Sequence, residues 1–208
     1  MRVIDWDVFI EGNWEWGAGS PDPHIAVTVG VFDGVHRGHQ ALIRRICSYP
    51  QPSGLTDFHT LSTVVTFKQN PMRVLKPELF TGDIMTLEQK LHSLEVLGVQ
   101  LTVLIDFSEE FSKMSGRVFI DLLLGRPVKL IALGRNFRCG CQLDTGAGEI
   151  RNIAEERGLD YWIAPPIMDG GQPVSSSRIR QSLAAGQETE AERLLGWPLS
   201  GIRRNSCQ

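Results

Sequence analysis

The ten residues 30–39, G-V-F-D-G-V-H-R-G-H, constrain this chain more than any other segment. A β-type run over 24–31 ends in a glycine-punctuated turn. The chain then enters a helix whose first turn carries His36 and His39, with Gly38 between them. Such a junction suits an anion, because the first backbone N–H groups of a helix lack an intrahelical acceptor and the helix dipole places partial positive charge there. Residues three apart share a helix face, so both imidazoles can point at one phosphate. Taken singly, a histidine pair at this spacing is more often surface decoration, and glycines punctuate many strand-to-helix turns. Strand, turn, H-x-G-H and helix in one βα unit together read as a nucleotide-handling site.

Apolar β-type runs alternate with helical patterns along the rest of the chain. Residues 61–67 (L-S-T-V-V-T-F) are rich in β-branched side chains and read as a second strand. Over 86–97, Leu87, Leu91, Leu94 and Leu97 fall on one side of a helix that Gly98 stops. Further strands are expected at 101–105, 128–133 and 161–164, and helices at 35–48, 116–124 and 149–157. From Ser176 the chain is helical, broken at Gly186 and Gly196. Strands separated by helices of about ten or more residues pair in parallel through right-handed crossovers. The expectation is therefore an α/β fold, a Rossmann-like doubly wound parallel sheet of about five strands. Its ligands would sit at the carboxyl ends of the strands, where the 30–39 turn lies.

Two segments stand outside this scheme. Residues 6–19 hold Trp6, Trp14 and Trp16 among glycines and acids, and are expected to form a short hairpin against the sheet or a partner surface. Residues 51–58 read as a plain loop. No repeat or second domain is visible, and 208 residues suit one sizeable α/β domain.

A net charge of −3 argues against a dedicated nucleic-acid surface. No run approaches about twenty apolar residues, and Arg2, Asp5 and Asp7 interrupt the start, so neither a membrane span nor a secretion signal is expected. Of the four cysteines, Cys139 and Cys141 are separated by one residue instead of the roughly two to four of zinc sites. Reduced thiols in a cytoplasmic protein are the expectation.

Two later motifs bear on the same ligand edge. In P-V-S-S-S-R-I-R, residues 173–180, the serines suit a helix N-cap. Ser176, Ser177, Arg178 and Arg180 also offer donors to phosphate oxygens at a second helix N-terminus. Two such sites would suit a triphosphate. G-R-N-F-R-C-G, residues 134–140, follows the 128–133 strand. There Asn136 can hydrogen-bond an aromatic heterocycle or fix a phosphate, and Arg135 and Arg138 are cationic.

These motifs, in this order, resemble the FMN adenylyltransferase (FAD synthetase) module of the bacterial bifunctional riboflavin kinase/FAD synthetases, in the H-x-G-H nucleotidyltransferase superfamily. The similarity spans about residues 24–200 and includes V-V-T-F before a proline loop, L-F-T-G-D-I-M-T-L-E-Q-K, and the S-S-S-R-I-R to L-L-G-W-P tail. H-x-G-H alone is shared with NMN, pantetheine-phosphate and cytidylyl enzymes. F-D-G-V-H together with N-F-R-x-G points to the flavin branch.

The resemblance implies transfer of AMP from ATP to FMN, giving FAD and pyrophosphate with Mg²⁺. By resemblance, His36, His39 and Arg180 are catalytic. Gly30, Phe32, Asp33, Gly38, Ser176, Ser177 and Arg178 would bind ATP and its phosphates, and Asn136, Arg138 and Asn70 the flavin. Mg²⁺ would be held mainly by the ATP phosphates and not by a protein cage. The riboflavin kinase module that normally follows is absent from this chain, so a separate riboflavin kinase would supply FMN. The sequence departs from the family's pattern twice more: Asn70 stands where P-H-P carries histidine, and Pro173 where a basic residue often precedes the first motif serine. Both changes remove cationic or proton-bearing groups near phosphates. They leave open an acceptor other than FMN, or a catalytically weakened flavin or nucleotide binder. Retention of both histidines favours an enzyme.

Overall fold

The run T-L-S-T-V-V-T-F is buried on both faces, as an interior parallel strand requires. The computed structural model describes residues 1–12, 14, 23–50 and 60–200, and in it this run is strand β3 (Thr60–Phe67) of a central sheet. The other strands are β1 (Arg2–Asp5), β2 (His24–Val29), β4 (Leu101–Ile105), β5 (Val128–Gly134) and β6 (Asp160–Ala164). All pair in parallel, in the order β1-β4-β3-β2-β5-β6. The winding reverses at β2, which pairs Val27 with Thr63 of β3 on one side and with Ile131 of β5 on the other. A crevice therefore opens at the carboxyl ends of β2 and β5, the position where open α/β sheets bind ligands.

Helices cover both faces: α1 (Trp6–Glu11), α2 (Arg37–Cys47), α3 (Leu87–Val96), α4 (Gly116–Leu124), α5 (Ala147–Glu156), α6 (Ser176–Ala184) and α7 (Glu188–Leu195). The pleat of β2 divides them. Ile25, Val27 and Val29 pack with Phe9 of α1, Leu123 of α4 and Ile150 of α5, whereas Ala26 joins Ile43 of α2 and Leu94 of α3. A third cluster, with Ile179, Leu194 and Leu195, joins α6 to α7. Gln40 docks this helix pair beside α2, its Nε2 donating to the carbonyls of Leu195 (2.8 Å) and Val35 (3.1 Å).

The N-terminal segment differs from its expected hairpin or partner surface. Arg2–Asp5 adds a sixth strand at the edge of the sheet, beside β4, and α1 sends Trp6 and Phe9 into the core. Trp14 stacks on Phe9 with ring centroids 5.9 Å apart. Large aromatic rings gain more from burial than from solvent, which explains the correction. Trp16 and residues 51–58 lie outside the described residues. Among the described residues no helix is long and apolar enough to cross a membrane.

Helix α3 starts where a capping box forms: Thr86 Oγ1 accepts the Gln89 amide (3.2 Å), and Gln89 Oε1 accepts the Thr86 amide (2.8 Å). Thr86→Ala is expected to lower stability by about 1 kcal/mol, read as a lower urea midpoint at unchanged slope.

Candidate active site at the β2 and β5 edge

After Val29, the Gly30 amide still donates to Val65 of β3, and the backbone then coils tightly. Phe32 and Val35 adopt φ of 53° and 37°, with Gly34 between them at 83°. Positive φ at a β-branched residue such as Val35 is strained, and persists only where the surroundings hold it. Here they do: Trp197 Nε1 donates to the Gly34 carbonyl (3.3 Å), Ser176 Oγ to the Asp33 carbonyl (2.8 Å), and the Phe32 ring is fully buried.

The coiled turn delivers His36 to the N-cap of α2, where its Nδ1 accepts the His39 amide at 3.4 Å. An accepting Nδ1 leaves the ring proton of the neutral imidazole on Nε2. The two rings stack with centroids 3.6 Å apart and 14° between planes, and the Phe32 ring lies 4.9 Å from that of His39. Gly38 makes room for this stack, since a Cβ there would stand 3.1 Å from His36 Cε1.

Burial pushes His36 down from 6.5 to about 4. It also holds His39 well below its ordinary value, with the charges of His36 and Lys90 acting the same way. Both imidazoles are therefore neutral at pH 7, and Nδ1 of His39 is buried without a hydrogen-bond partner. A depressed folded-state histidine destabilises the fold as the pH falls, because the unfolded chain takes up the proton first. Stability is expected to fall as pH drops from 6.5 through about 4, by roughly 3 kcal/mol for His36. Thermal midpoints across that window should show a shallower slope in His36→Asn.

The Asp33 carboxylate binds groups from later parts of the chain. Its Oδ1 accepts the Ile84 amide (2.9 Å) and its Oδ2 accepts from Arg180 Nη2 (2.5 Å), while Arg180 Nε donates to the Gly82 carbonyl. Burial raises this carboxyl, against the pull of Arg180 and the Ile84 amide. Arg180 and Asp33 thus engage each other, joining the first turn to α6 and to the 82–85 segment. Ser175 caps α6, Ser176 is half-buried on Asp33, and Ser177 is exposed. Arg178 donates to the Asp169 carbonyl and to Glu190, in an ion-pair cluster with Arg37 and Arg193.

Asn136 and Arg138 are exposed on the loop leaving β5, where Arg138 Nε donates to the Leu143 carbonyl (2.9 Å). Asn70 is buried; its amide donates to Asp83 (3.0 Å) and its Oδ1 accepts from Met72. It lines a small open cleft together with Asp33, Asp83, Met85 and Lys90. The Cys139 thiol is a poor nucleophile, because burial pushes it up to about 12, helped by Asp144 and Glu149.

Lys90 is the residue that motif reading missed. It is 7% exposed, and its Nζ donates to the carbonyls of Phe67 (2.8 Å) and Val31 (3.3 Å) and to Thr66 Oγ1 (3.3 Å). The signal was present: Lys90 falls between Leu87 and Leu94 on the apolar side of α3, an unusual place for a cation.

The chain is similar to known proteins over most of its length. The family model for FAD synthetase matches residues 20–178. The chain is 29% identical over 183 residues to the bifunctional riboflavin kinase/FMN adenylyltransferase of Escherichia coli (strain K12), covering 87% of this chain and 57% of that protein. It is 31% identical over 178 residues to the protein of that name from Bacillus subtilis (strain 168), covering 83% and 53%. A putative bifunctional riboflavin kinase/FMN adenylyltransferase of Geobacillus thermodenitrificans (strain NG80-2) is 30% identical over 179 residues, covering 86% and 93%. A crystal structure of a Streptococcus pneumoniae protein named as a macrolide-efflux protein superposes with a TM-score of 0.71 at 30% identity, covering 87% of this chain and 67% of that one. The chain spans a little over half the length of the Escherichia coli relative. With the family model matched from β2 through β6, the histidine turn and the start of α6, this chain belongs to the FAD synthetase family.

Proposed function

We propose that this chain is an FMN adenylyltransferase, transferring AMP from ATP to FMN to give FAD and pyrophosphate. The observation that carries the reading is the pair of stacked, neutral imidazoles at the N-terminus of α2, on the ligand edge of the sheet. The phosphate of FMN, a monoester with a second pKa of about 6, is largely dianionic near neutral pH, so its oxygen attacks the α-phosphorus without a general base. The bond from the α-phosphorus to the bridging oxygen breaks, and pyrophosphate leaves with the electron pair. The chain then has two tasks, alignment and stabilisation of charge on the phosphoryl oxygens in flight.

Neutral histidines suit the second task as fixed hydrogen-bond donors that bring no proton to misplace. Nε2–H of His36, with its tautomer set by the His39 amide, is one such donor. The amides at the start of α2 add partial positive charge. Among the described residues no three His, Cys, Asp or Glu side chains are grouped to cage a metal. A Mg²⁺ ion would ride on the ATP phosphates, neutralising part of their charge. In this reading FMN comes from a riboflavin kinase activity, which the relatives' names pair with the adenylyl transfer.

The test is incubation of the purified chain with MgATP and FMN, with FAD and pyrophosphate expected in equal amounts. No FAD, but ATP consumption with another phosphate ester, would move the acceptor. Asn70, bonded to Asp83 at the position where the resemblance implies a histidine, is the position that would explain such a change.

A further inference from the structure

Lys90 is a buried cation that no carboxylate contacts directly among the described residues. Its ammonium is held by two carbonyls and a hydroxyl. The nearby carboxylates are engaged elsewhere: Asp33 with Arg180, and Asp83 with Asn70 and Arg73. A charge removed from water and left without an opposite charge opposes folding, unlike the apolar side chain that its position on α3 would otherwise favour.

Its surroundings indicate what it is for. Nζ sits on the carbonyl of Phe67 at the carboxyl end of β3 and on that of Val31 in the turn leading to the histidines, so it joins the carboxyl ends of β2 and β3. Lys90 also lines a small open cleft, and its charge is felt by His39. Nζ has three protons, already directed at three oxygens, so a ligand would replace one of them or share one.

We infer that Lys90 is a phosphate-binding residue of this site, a cation held ready whose counter-ion is a phosphate group of a substrate or product. The inference rests on the reading above and deepens it, by adding a positive charge to a pair of neutral imidazoles. That charge is needed because Arg178 and Arg180 are both committed to carboxylates.

The groups facing Nζ are Asp33 after β2, His39 on α2, Lys68 at the end of β3 and Asp83 before α3, with Arg180 and Arg73 neutralising the two aspartates. Burial lowers the ammonium to about 8, with Asp33 and Asp83 acting the other way. Anion affinity should therefore weaken as the pH rises through about 8.

The experiment is calorimetric titration of the full chain and of Lys90→Met and Lys90→Arg with inorganic pyrophosphate, MgATP and FMN, from pH 7 to 9.5. Lys90→Met should weaken at least one ligand by roughly 30-fold or more, with no fall in thermal midpoint. Weakening of pyrophosphate and MgATP would assign Lys90 to the nucleotide phosphates, and weakening of FMN alone to the acceptor phosphate. Lys90→Arg, whose charge does not titrate, should keep most of the affinity and lose the alkaline decline. Unchanged affinities for all three ligands in Lys90→Met would overturn the inference. So would an alkaline decline that persists in Lys90→Arg, a readout available even if the methionine variant does not fold. These are binding measurements, so absence of FAD formation by the unaltered chain would remove the proposed reaction without touching them.

Discussion

His39→Ala is expected to lower the rate of FAD formation by roughly 10²–10³-fold, the loss typical of one preorganised donor at a developing oxyanion. His36→Ala should act similarly and lose a further increment through the α2 cap, because its Nδ1 accepts the His39 amide. The rings are stacked 3.6 Å apart and each helps to place the other. The double variant should therefore be little worse than either single one, since groups acting as a unit are not additive. Charge is not what these rings supply at pH 7, because burial keeps both neutral. Asparagine, a neutral donor of similar reach, should thus restore more activity than alanine does. Steady-state FAD formation, read by fluorescence or chromatography, checks all four variants. Activity within about threefold of the unaltered chain in either alanine variant would take the imidazoles out of the chemistry.

Asp33→Ala is expected to lower stability by about 3–5 kcal/mol, the range for breaking one side of a buried ion pair. The carboxylate is 5% exposed and serves three partners: the amides of Ile84 and Met85 and the guanidinium of Arg180. Removing it leaves all three short of an acceptor and unties the histidine turn from α6. Arg180→Met combined with Asp33→Ala should recover much of the loss, because the unpaired charge is then gone. Urea unfolding of the two single variants and the double variant gives the coupling directly. A loss below about 1 kcal/mol in Asp33→Ala would mean that water replaces these bonds freely.

The parallel sheet was legible because its signals are local. Residues 101–105 and 116–124 are a strand and a helix with the boundaries that periodicity and glycine placed. Strands alternating with helices leave little freedom beyond parallel pairing with right-handed crossovers, and that puts the 30–39 turn on the ligand edge. Arg2–Asp5 was not legible. Four residues with charges at both ends carry no periodic pattern, and only pairing with β4 makes them a strand. The tryptophans at the start suggested a surface for the same reason, since nothing within residues 6–19 states that a core is waiting for Trp6 and Trp14.

Arginines and the one buried lysine mark the boundary most sharply. S-S-S-R-I-R offers two guanidiniums at a helix start, but Arg178 is taken by Asp169 and Glu190, and Arg180 by Asp33, 147 residues away. Hydrophobic periodicity, caps and turn glycines act over a few residues, so the order of residues was sufficient to set the sheet, its winding and the seat of the two histidines. A long flexible cation chooses its partner among groups that only folding brings together. The tertiary structure alone decided that the arginines would pair with carboxylates and that Lys90 would be buried against the ends of β2 and β3.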